Sequence, residues 1–520
     1  KTSFVPMFPG AQATIMRLPA QAGDSGQRAE RGMTMEEREA PAGEYGAAID
    51  AWLMEHDAEM IQFARDLLQI PSMTAAPEAG HPLGRDVGLA LERFLAEAQR
   101  LALPTVNVDG YAGHAEVGAG EEIVGVLCHL DVVPVGDGWA HPPFAAEIVD
   151  DRLVGRGAID DKGPAAAALY ALAAVRSLNL PLRRRIRLIA GTDEESGWRC
   201  LTHYVEKMER PNLGFSPDAN FPIINAEKGI LDVTLVHDWP EGGPIRSLAG
   251  GSRPNVVPDE ATAILTGERG GRPVRVKGRA AHGSTPEKGD NAVLRLLQQL
   301  LASNGSQAAE VMAGERRTKS ADAAPGEAEL GGADPTGPEI DWSDEAASAQ
   351  RRILTTMQIM GESLDGAGLG IRLADAPSGP LTSNLGLVRT SVGCVEGSWN
   401  IRYPVTFQGE EILARIRAHV DADGWRVAAY HDNPPHHAPR EHPVVRALAA
   451  VYEDVVGEEA VCLAIGGGTY ARLIPNGVAF GPLFPGEEEL AHEANESIAL
   501  DTLRRGARIW ARAMTALAQI

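Results

Sequence analysis

The stretch "RIRLIAGTDEESGW", residues 185–198, joins an apolar strand pattern to three consecutive acidic residues. Leu188, Ile189 and Ala190 predict a buried strand, and the acidic run Asp193–Glu195 lies just beyond its end. Like charges that converge at a strand end cost on the order of several kcal/mol unless a cation neutralises them. The stretch therefore predicts both a sheet strand and a cation site at its carboxyl end.

An earlier strand pattern and a helix pattern extend this unit towards the N-terminus. Residues 121–136, "EEIVGVLCHLDVVPVG", are rich in Val, Ile and Leu and end in a Pro/Gly loop, and residues 162–178, "KGPAAAALYALAAVRSL", predict a helix. Strand, helix and strand, with polar residues at the strand ends, predict an α/β fold with a mixed, largely parallel sheet covered by helices. Ligands in such sheets bind beyond the carboxyl ends of the strands.

The pattern changes in the middle of the chain, where short strands such as "GILDVTLVHDW" and "EATAILTG" replace the α/β repeat. We therefore expect a main α/β domain formed by residues 47–229 and 436–520, interrupted by an inserted α+β lid domain, 230–435. Residues 304–349 are rich in Ala, Gly, Glu, Asp and Pro and predict a flexible insert. Residues 1–46 predict a disordered tail.

Charge and composition exclude several classes of partner. The 520-residue chain has 71 acidic and 48 basic residues, a net charge of −23, which argues against nucleic-acid binding. The longest apolar-rich run, 165–175, is shorter than the roughly 20 residues that span a bilayer, so no membrane partner is expected. No secretory signal is evident, and the four cysteines lack CxxC spacing, as expected for free thiols in the cytoplasm.

Histidines and carboxylates mark the predicted strand ends. His129 and Asp131 are two residues apart, so their side chains point the same way and the carboxylate can brace a metal-binding imidazole. The alternative for this motif alone is a core histidine. Asp160 and Asp161 precede a predicted helix, where negative charge also serves as a plain cap.

The opening pair, Glu194 and Glu195, point to opposite sides of an extended chain, so one can bind a metal while the other faces a water. The alternative is a solvated turn. Asp218, His282 and His492 are each uninformative alone. Together the donors form a mixed nitrogen and oxygen set that suits zinc or a similar divalent ion but is too large for one tetrahedral site. Two metals that share one carboxylate would use all five candidate ligands: His129, Asp160, Glu195, Asp218 and His492.

Eight motifs occur in an order that resembles a known family. They are "HLDVVPVGDGW" (129–139), "GRGAIDDKGP" (155–164), "GTDEESGW" (191–198), "SPDANFP" (216–222), "AAHGSTPEKGDNA" (280–292), "NIRYP" (400–404), "GGGTYAR" (466–472) and "AHEANESI" (491–498). The set resembles the dinuclear zinc peptidases that include carboxypeptidase G, acetylornithine deacetylase and succinyl-diaminopimelate desuccinylase. Within these it is most similar to the PepV-like Xaa-His or β-alanyl dipeptidases, over roughly residues 47–520.

The resemblance implies two divalent ions, Zn²⁺ or alternatively Mn²⁺ or Co²⁺, in the domain formed by 47–229 and 436–520. His129 would bind one ion and His492 the other, and Asp160 would bridge both through a carboxylate next to a cis peptide. Glu195 would join one ion and Asp218 the other.

The resemblance also implies the catalytic groups. Glu194 would act as general base and then general acid, and Asp131 would orient His129. His282, on the lid, would stabilise the tetrahedral oxyanion.

Substrate contacts are implied in the same way. Asn255 and Arg402 resemble substrate-binding residues, with Arg402 as a fork for the C-terminal carboxylate. The loop Gly466–Gly468, with Gly467 at its centre, and Thr469 would approach the same group through backbone amides.

The implied function is hydrolysis of the amide bond of small dipeptides. An aspartate at position 218 resembles the dipeptidase pattern, whereas the deacylases of the family tend to carry glutamate. N-acyl amino acid deacylase or desuccinylase activity is the alternative within the family, and a non-catalytic metal-binding scaffold is the alternative outside it. The long lid resembles that of monomeric members, although in shorter relatives a homodimer partner supplies the lid histidine.

Overall fold

The structure of the protein, a computed structural model, describes residues 45–180, 182–267, 271–302 and 338–520. All of them belong to one compact unit, 42–520. The predicted tail, apart from Tyr45 and Gly46 at the start of the first helix, and most of the predicted insert lie outside the described residues. The described end of that insert is partly helical, because a helix begins at Glu345 with the Asp344 side chain accepting a hydrogen bond from the Ala347 amide (2.6 Å). The sequence therefore placed the end of the irregular segment too late.

The helices follow the apolar periodicity of the sequence closely. The α-helices of the described residues are Gly46–Glu55, Asp57–Leu68, Arg85–Arg100, Lys162–Ser177, Arg199–Lys207, Ala292–Leu301, Glu345–Glu362, Gly409–Val420, Pro443–Val456 and Leu500–Leu517. Short 3₁₀ turns lie at Pro286–Lys288, Ala367–Leu369, Asp421–Asp423 and Tyr470–Leu473.

The first helix that the sequence predicts is in fact two consecutive helices. The amphipathic pattern of residues 47–70 predicts a single helix, but the helix breaks at His56, whose backbone leaves the helical region. The His56 ring stacks on Trp52 at 3.8 Å, and its Nδ1 donates to the Trp52 carbonyl oxygen (2.9 Å). The side chain thus forms a local cap, which the unbroken apolar pattern does not reveal.

The larger sheet has nine strands among the described residues and forms the body of the α/β part. In spatial order its strands are Thr105–Val108, Ala112–Val117, Arg185–Gly191, Ile123–His129, Leu213–Ser216, Val478–Ala479, Ile223–Glu227 and His436–His437, with Cys462–Ile465 also paired to Ile223–Glu227. The sheet is mixed: Ile123–His129 pairs in parallel with both of its neighbours, Cys462–Ile465 pairs in parallel with Ile223–Glu227, and antiparallel pairs make up much of the rest.

The helix between the two central strands is packed as the sequence indicated. Lys162–Ser177 is buried from Lys162 to Val175 and contacts the C-terminal helix Leu500–Leu517. Its many alanines allow this close approach, because small side chains let two helix backbones pack near one another. The α/β class predicted from the sequence is confirmed.

A second sheet of seven antiparallel strands has its own core. In spatial order its strands are Arg272–Lys277, Glu260–Leu265, Ile245–Gly250, Thr382–Ser391, Cys394–Tyr403, Gly229–Asp238 and Arg426–Asn433. A separate cluster of buried apolar residues, among them Leu235, Leu297 and Trp399, packs between this sheet and the helices that cover it.

Three small sheets complete the described structure. They pair Ala374–Asp375 with Gly379–Pro380, Ala219–Asn220 with Pro482–Leu483, and Arg152–Val154 with both Glu147–Val149 and Ser497–Ala499. The last of these brings the end of the "AHEANESI" motif beside the segment that leads to Asp160.

Within the described ranges, no helix is both long and apolar enough to cross a membrane.

Candidate active site

Three neighbouring parallel strands deliver carboxylates and a histidine to one edge of the larger sheet. Ile123–His129 ends at His129, Arg185–Gly191 is followed by Glu195, and Leu213–Ser216 is followed by Asp218. Because carboxyl ends of parallel strands meet at the same edge, side chains far apart in the sequence converge there.

The Asp160 carboxylate lies between two imidazoles. Its Oδ1 is 2.6 Å from Nε2 of His129, and its Oδ2 is 2.9 Å from Nε2 of His492. Glu195 is on the His492 side, with Oε1 3.1 Å from Nε2, and Asp218 is on the His129 side, with Oδ2 3.8 Å from Nε2. The five predicted ligands therefore form two half-sites that share Asp160.

The donor atoms suit divalent cations. Nδ1 of His129 lies 3.0 Å from the carbonyl oxygen of Asp131, which can only accept, so the neutral ring carries its proton on Nδ1 and turns the Nε2 lone pair towards Asp160. Donor atoms of His129, Asp160 and Glu195 lie within 4.8 Å of one another. Two imidazole nitrogens and three carboxylates in this arrangement fit a pair of ions such as zinc.

Burial and neighbouring charges shift the pKa values of the clustered side chains. Burial, followed by the negative charge of Asp160, raises the pKa of Asp218 and of Glu195 above their ordinary values. Desolvation opposes protonation of His492, but hydrogen bonds to Asp160 and Glu195 raise its pKa to about 11. The carboxylates around His492 thus favour positive charge at this point, which divalent ions would supply with the imidazoles neutral.

Asp131 supports the site in a way the sequence did not indicate. Its carboxylate accepts hydrogen bonds from the backbone amides of Glu194 (3.0 Å) and Glu195 (3.1 Å). It orients His129 mainly through its own carbonyl oxygen, since the carboxylate Oδ1 is 3.4 Å from Nδ1. One buried residue therefore positions both strand ends of the site.

The Asp160–Asp161 pair is not a simple helix cap. The peptide bond between them is cis, and the Asp161 side chain makes no capping hydrogen bond to the helix. Instead it accepts a hydrogen bond from the His129 amide (3.0 Å). Burial, and then the charge of Asp218, raises the pKa of Asp161 well above its ordinary value.

Two further residues hold the ligand segments, and sequence analysis missed them. Glu496 accepts hydrogen bonds from the amides of Ile159 (2.8 Å) and Asp160 (3.2 Å), and from Nη1 of Arg156 (2.7 Å). Nη2 of Arg156 donates to the His492 carbonyl oxygen (3.1 Å). Arg156 and Glu496 both belong to motifs quoted above. Only the structure shows that their buried side chains pair with each other.

Glu194 is half-buried beside the two half-sites. Burial is the largest cause that raises its pKa well above the ordinary value; the charge of His129 opposes this, and the charges of Asp218 and Glu195 add to it. Its amide is fixed by Asp131. A carboxyl group with these properties can both accept and return a proton.

His282 has a defined tautomer. The Ser284 amide, which can only donate, points at Nδ1 (3.3 Å), and the Ser284 hydroxyl lies 2.6 Å from the same nitrogen. Desolvation, then the charges of Arg402 and His492, lower the pKa of His282 to about 4. At neutral pH the ring is therefore uncharged, accepts at Nδ1 and carries its proton on Nε2.

Arg402 and the glycine loop meet beside this histidine. Nη1 of Arg402 donates to the Gly466 carbonyl oxygen (2.6 Å) and Nε to Asn400 (2.7 Å), which leaves Nη2 without a partner among the described residues. A Cβ at Gly466 would lie 2.7 Å from Cβ of Ser284, so the glycine loop and the loop that carries His282 are in contact. The half-buried Asn255 pairs with the His282 loop through its carbonyl oxygen and the Gly283 amide (2.7 Å).

Thr469 and Gly467 face in different directions: Thr469 hydrogen-bonds to the protein interior, whereas Gly467 has an open side. Thr469 directs its amide (3.1 Å) and hydroxyl (2.8 Å) to the buried Glu227, so these groups support the loop and do not face a ligand as expected. A Cβ at Gly467 would meet only the tip of Ile465, at 4.0 Å, so this side of the loop is open.

The fold and the converging donors define a metal-binding peptidase architecture. The chain belongs to peptidase family M20/M25/M40, whose family model matches residues 125–516. This confirms the resemblance seen in the motifs.

Relatives and solved structures agree with this family. A Bacillus subtilis protein named "Putative dipeptidase YtjP" is 38% identical over 89% of this chain and 97% of its own length. "Putative dipeptidase SSP1012" of Staphylococcus saprophyticus is 32% identical over 85% of this chain and 94% of its own. Human carnosine dipeptidase 1 shares the fold at TM-score 0.53 and 15% identity, over 91% of this chain and all of that one (100%). Aminoacylhistidine dipeptidase from Vibrio alginolyticus does so at TM-score 0.53 and 16% identity, over 89% of this chain and 96% of that one.

Proposed function

We propose that the protein is a two-metal dipeptidase that hydrolyses the amide bond of small dipeptides. The supporting observation is the Asp160 carboxylate, which lies between His129 and His492 with one oxygen towards each. His129, Asp160 and Asp218 would hold one ion, and His492, Asp160 and Glu195 the other. When bound, the ions, Zn²⁺ in this proposal, would acidify a water and polarise the scissile carbonyl.

Glu194 is the proposed general base and acid. Its carboxyl group, whose pKa is raised by burial, takes the proton of the attacking water and returns it to the leaving amine. Asp131 keeps the Glu194 backbone in place, which holds the carboxyl group over the two half-sites.

His282 is the proposed oxyanion donor. The neutral ring has Nε2–H free to donate because Ser284 occupies Nδ1. Donors of this kind contribute about 3–4 kcal/mol of transition-state stabilisation.

Arg402 is the proposed anchor for the substrate carboxylate. Arg402, on the strand Cys394–Tyr403, reaches the glycine loop through its Nη1, and the open side of Gly467 belongs to that loop, which contacts Ser284 next to the His282 segment. A substrate carboxylate bound there would lie near His282, the proposed oxyanion donor, and this proximity supports a short substrate such as a dipeptide. Asn255 would add a side-chain contact from the same region, whereas Thr469 would act through the loop.

The domain roles follow from the same contacts. Residues 47–229 and 436–520 would form the catalytic domain and 230–435 the lid, because His282 and Arg402 both come from the part that contains the seven-stranded sheet. Since the His282 loop contacts the glycine loop of the same chain, where a Cβ on Gly466 would lie 2.7 Å from Cβ of Ser284, we propose a monomer. Four free cysteines support a cytoplasmic location.

A substrate panel tests the proposal. The protein, purified without chelator and resupplied with zinc, is assayed with free dipeptides (including β-alanyl-histidine), N-acetyl amino acids and N-succinyl amino acids. We expect two zinc ions per chain and turnover of free dipeptides. Turnover confined to the N-acyl substrates would instead establish a deacylase, and absence of turnover with full zinc content would establish a non-catalytic protein.

Glu194→Gln separates chemistry from metal binding. The amide keeps the size of the side chain but cannot take a proton, so hydrolysis should be lost while both ions remain. Glu206→Gln, on an exposed helical position, is the matched control and should retain full activity. Loss of an ion from Glu194→Gln would show that the roles of Glu194 and Glu195 are exchanged.

A further inference from the structure

The chain passes between the two sheets at two places in the described structure. Strand Ile223–Glu227 leads through Lys228 into Gly229–Asp238, and strand Arg426–Asn433 leads through two prolines into His436–His437. Any change in the angle between the two sheets must be absorbed at these crossings.

Arg472 contacts both crossings at once. Nη2 donates to the Lys228 carbonyl oxygen (2.7 Å), and Nη1 donates to the Pro434 carbonyl oxygen (2.8 Å) and to Oδ1 of Asn433 (3.2 Å). Nη2 also donates to the Gly467 carbonyl oxygen (3.1 Å). With Nε bound to Glu227 as described next, all five N–H groups of the guanidinium are used.

Glu227 completes the arrangement from the first crossing. Its Oε2 accepts from Nε of Arg472 at 2.6 Å, and the side chains are 1% and 7% exposed, respectively. The same carboxylate accepts both Thr469 hydrogen bonds. A buried charge pair with these added hydrogen bonds has a single well-defined geometry, since any other would leave buried groups unpaired.

The glycine loop transmits this geometry to the site. A Cβ on Gly468 would lie 2.6 Å from Nε of Arg472, so only glycine allows the guanidinium to sit against the loop. The neighbouring Gly466 accepts from Arg402 and contacts Ser284, the residue that holds His282.

We propose that Arg472, with Glu227, is a positioning residue that ties both inter-sheet crossings to the glycine loop and so places Arg402 and His282 over the metal-binding residues. This inference rests on the proposed function for its catalytic consequence. Arg472 touches no reacting atom in this scheme. It acts through the angle between the sheets and through the loop.

Lysine cannot replace arginine in this role. An ammonium group has three donors at one point, whereas the five donors here are spread over a planar fork that reaches four backbone or side-chain groups besides Glu227. Arg472→Lys should therefore keep the charge and lose the connection between the crossings.

The test compares Arg472→Lys with Arg187→Lys. Arg187 is a matched control because its Nε also lies 2.6 Å from a glutamate, Glu116, and its side chain is 5% exposed, but it belongs to a strand in the larger sheet away from the crossings. Zinc content, kcat and KM for a free dipeptide are measured for both variants. We expect two ions in each, and for Arg472→Lys a fall in kcat/KM of about 100-fold, with kcat reduced as well, because misplacement by about 1 Å has this effect.

A distance measurement tests the same idea without turnover. Spin labels at Val392→Cys and Ile148→Cys, both exposed and on opposite sides of the crossings, report the separation of the two parts in a background with Cys394→Ser and Cys462→Ser. Arg472→Lys should broaden the distance distribution, whereas Arg187→Lys should leave it as in the parent. Gly468→Ala, which displaces the guanidinium by a different route, should broaden it too.

The outcomes separate the two proposals. Broadened distances without dipeptidase activity in the parent would refute the proposed function and support the role of Arg472. Unchanged distances in both Arg472→Lys and Gly468→Ala, or a kcat/KM for Arg472→Lys equal to that of Arg187→Lys in an active enzyme, would overturn the role of Arg472.

Discussion

Glu496 accepts a hydrogen bond from the backbone amide of Asp160, the residue shared by the two half-sites, although the two residues are 336 positions apart in the sequence. The carboxylate is fully buried and paired with Arg156 at 2.7 Å. The shared ligand is thus positioned by a distant residue that is not itself a ligand.

Glu496→Gln should destabilise the protein strongly. It leaves the Arg156 guanidinium buried without a counter-charge, which typically costs about 3–5 kcal/mol. Urea unfolding measures this, and Glu122→Gln, which breaks the more exposed pair with Arg184, should cost about 1 kcal/mol or less. Equal effects of the two substitutions would show that the buried pair has no special role.

His282→Ala should lower kcat by about 100- to 1,000-fold, because one oxyanion donor is lost. Zinc content should stay at the parent value, since the imidazole is not among the five proposed ligands. Steady-state kinetics and metal analysis of the same preparation check both statements. Turnover near that of the parent would refute the assignment.

Ser284→Ala should lower kcat about fivefold, since a hydrogen bond that holds the His282 tautomer contributes about 1 kcal/mol. Ser284→Thr keeps the hydroxyl and should restore most of the activity. Nitrogen-15 NMR of the His282 ring should show Nε2–H in the parent and a larger share of the Nδ1–H tautomer in Ser284→Ala, which keeps only the backbone amide donor at 3.3 Å. A single unchanged tautomer would remove the role of the Ser284 hydroxyl.

His114 should make stability depend on pH. Burial, followed by the charge of Arg187, lowers the pKa of His114 to about 4. Above pH 6.5 the imidazole is neutral in both states, so it adds no pH dependence; below that, the unfolded chain binds the proton first and the free energy of unfolding falls until about pH 4.

The variant His114→Gln isolates this contribution. Between pH 7 and pH 5 the parent should lose about 2 kcal/mol more than the variant. Urea unfolding in excess chelator keeps metal binding out of the comparison. Parallel losses in parent and variant would contradict the burial-induced shift.

The sequence alone determined the α/β class, the positions of the two central strands and of the helix between them, and the family, because each depends on local pattern. The alternation of apolar strands and helices is visible within short windows, and the acidic run after Arg185–Gly191 already predicts a cation site. The family was recognisable because its metal-binding and catalytic residues occur in short motifs in a fixed order along the chain.

Only the tertiary structure decided how the candidate ligands are divided between the two half-sites. It put Asp218 beside His129 and Glu195 beside His492, and it turned Thr469 inwards to Glu227. It also revealed the contacts of Glu496 and Arg472, and the local cap that divides the first predicted helix. These features depend on side chains that meet in space after hundreds of intervening residues, or on hydrogen bonds that burial makes obligatory, and no local periodicity encodes either.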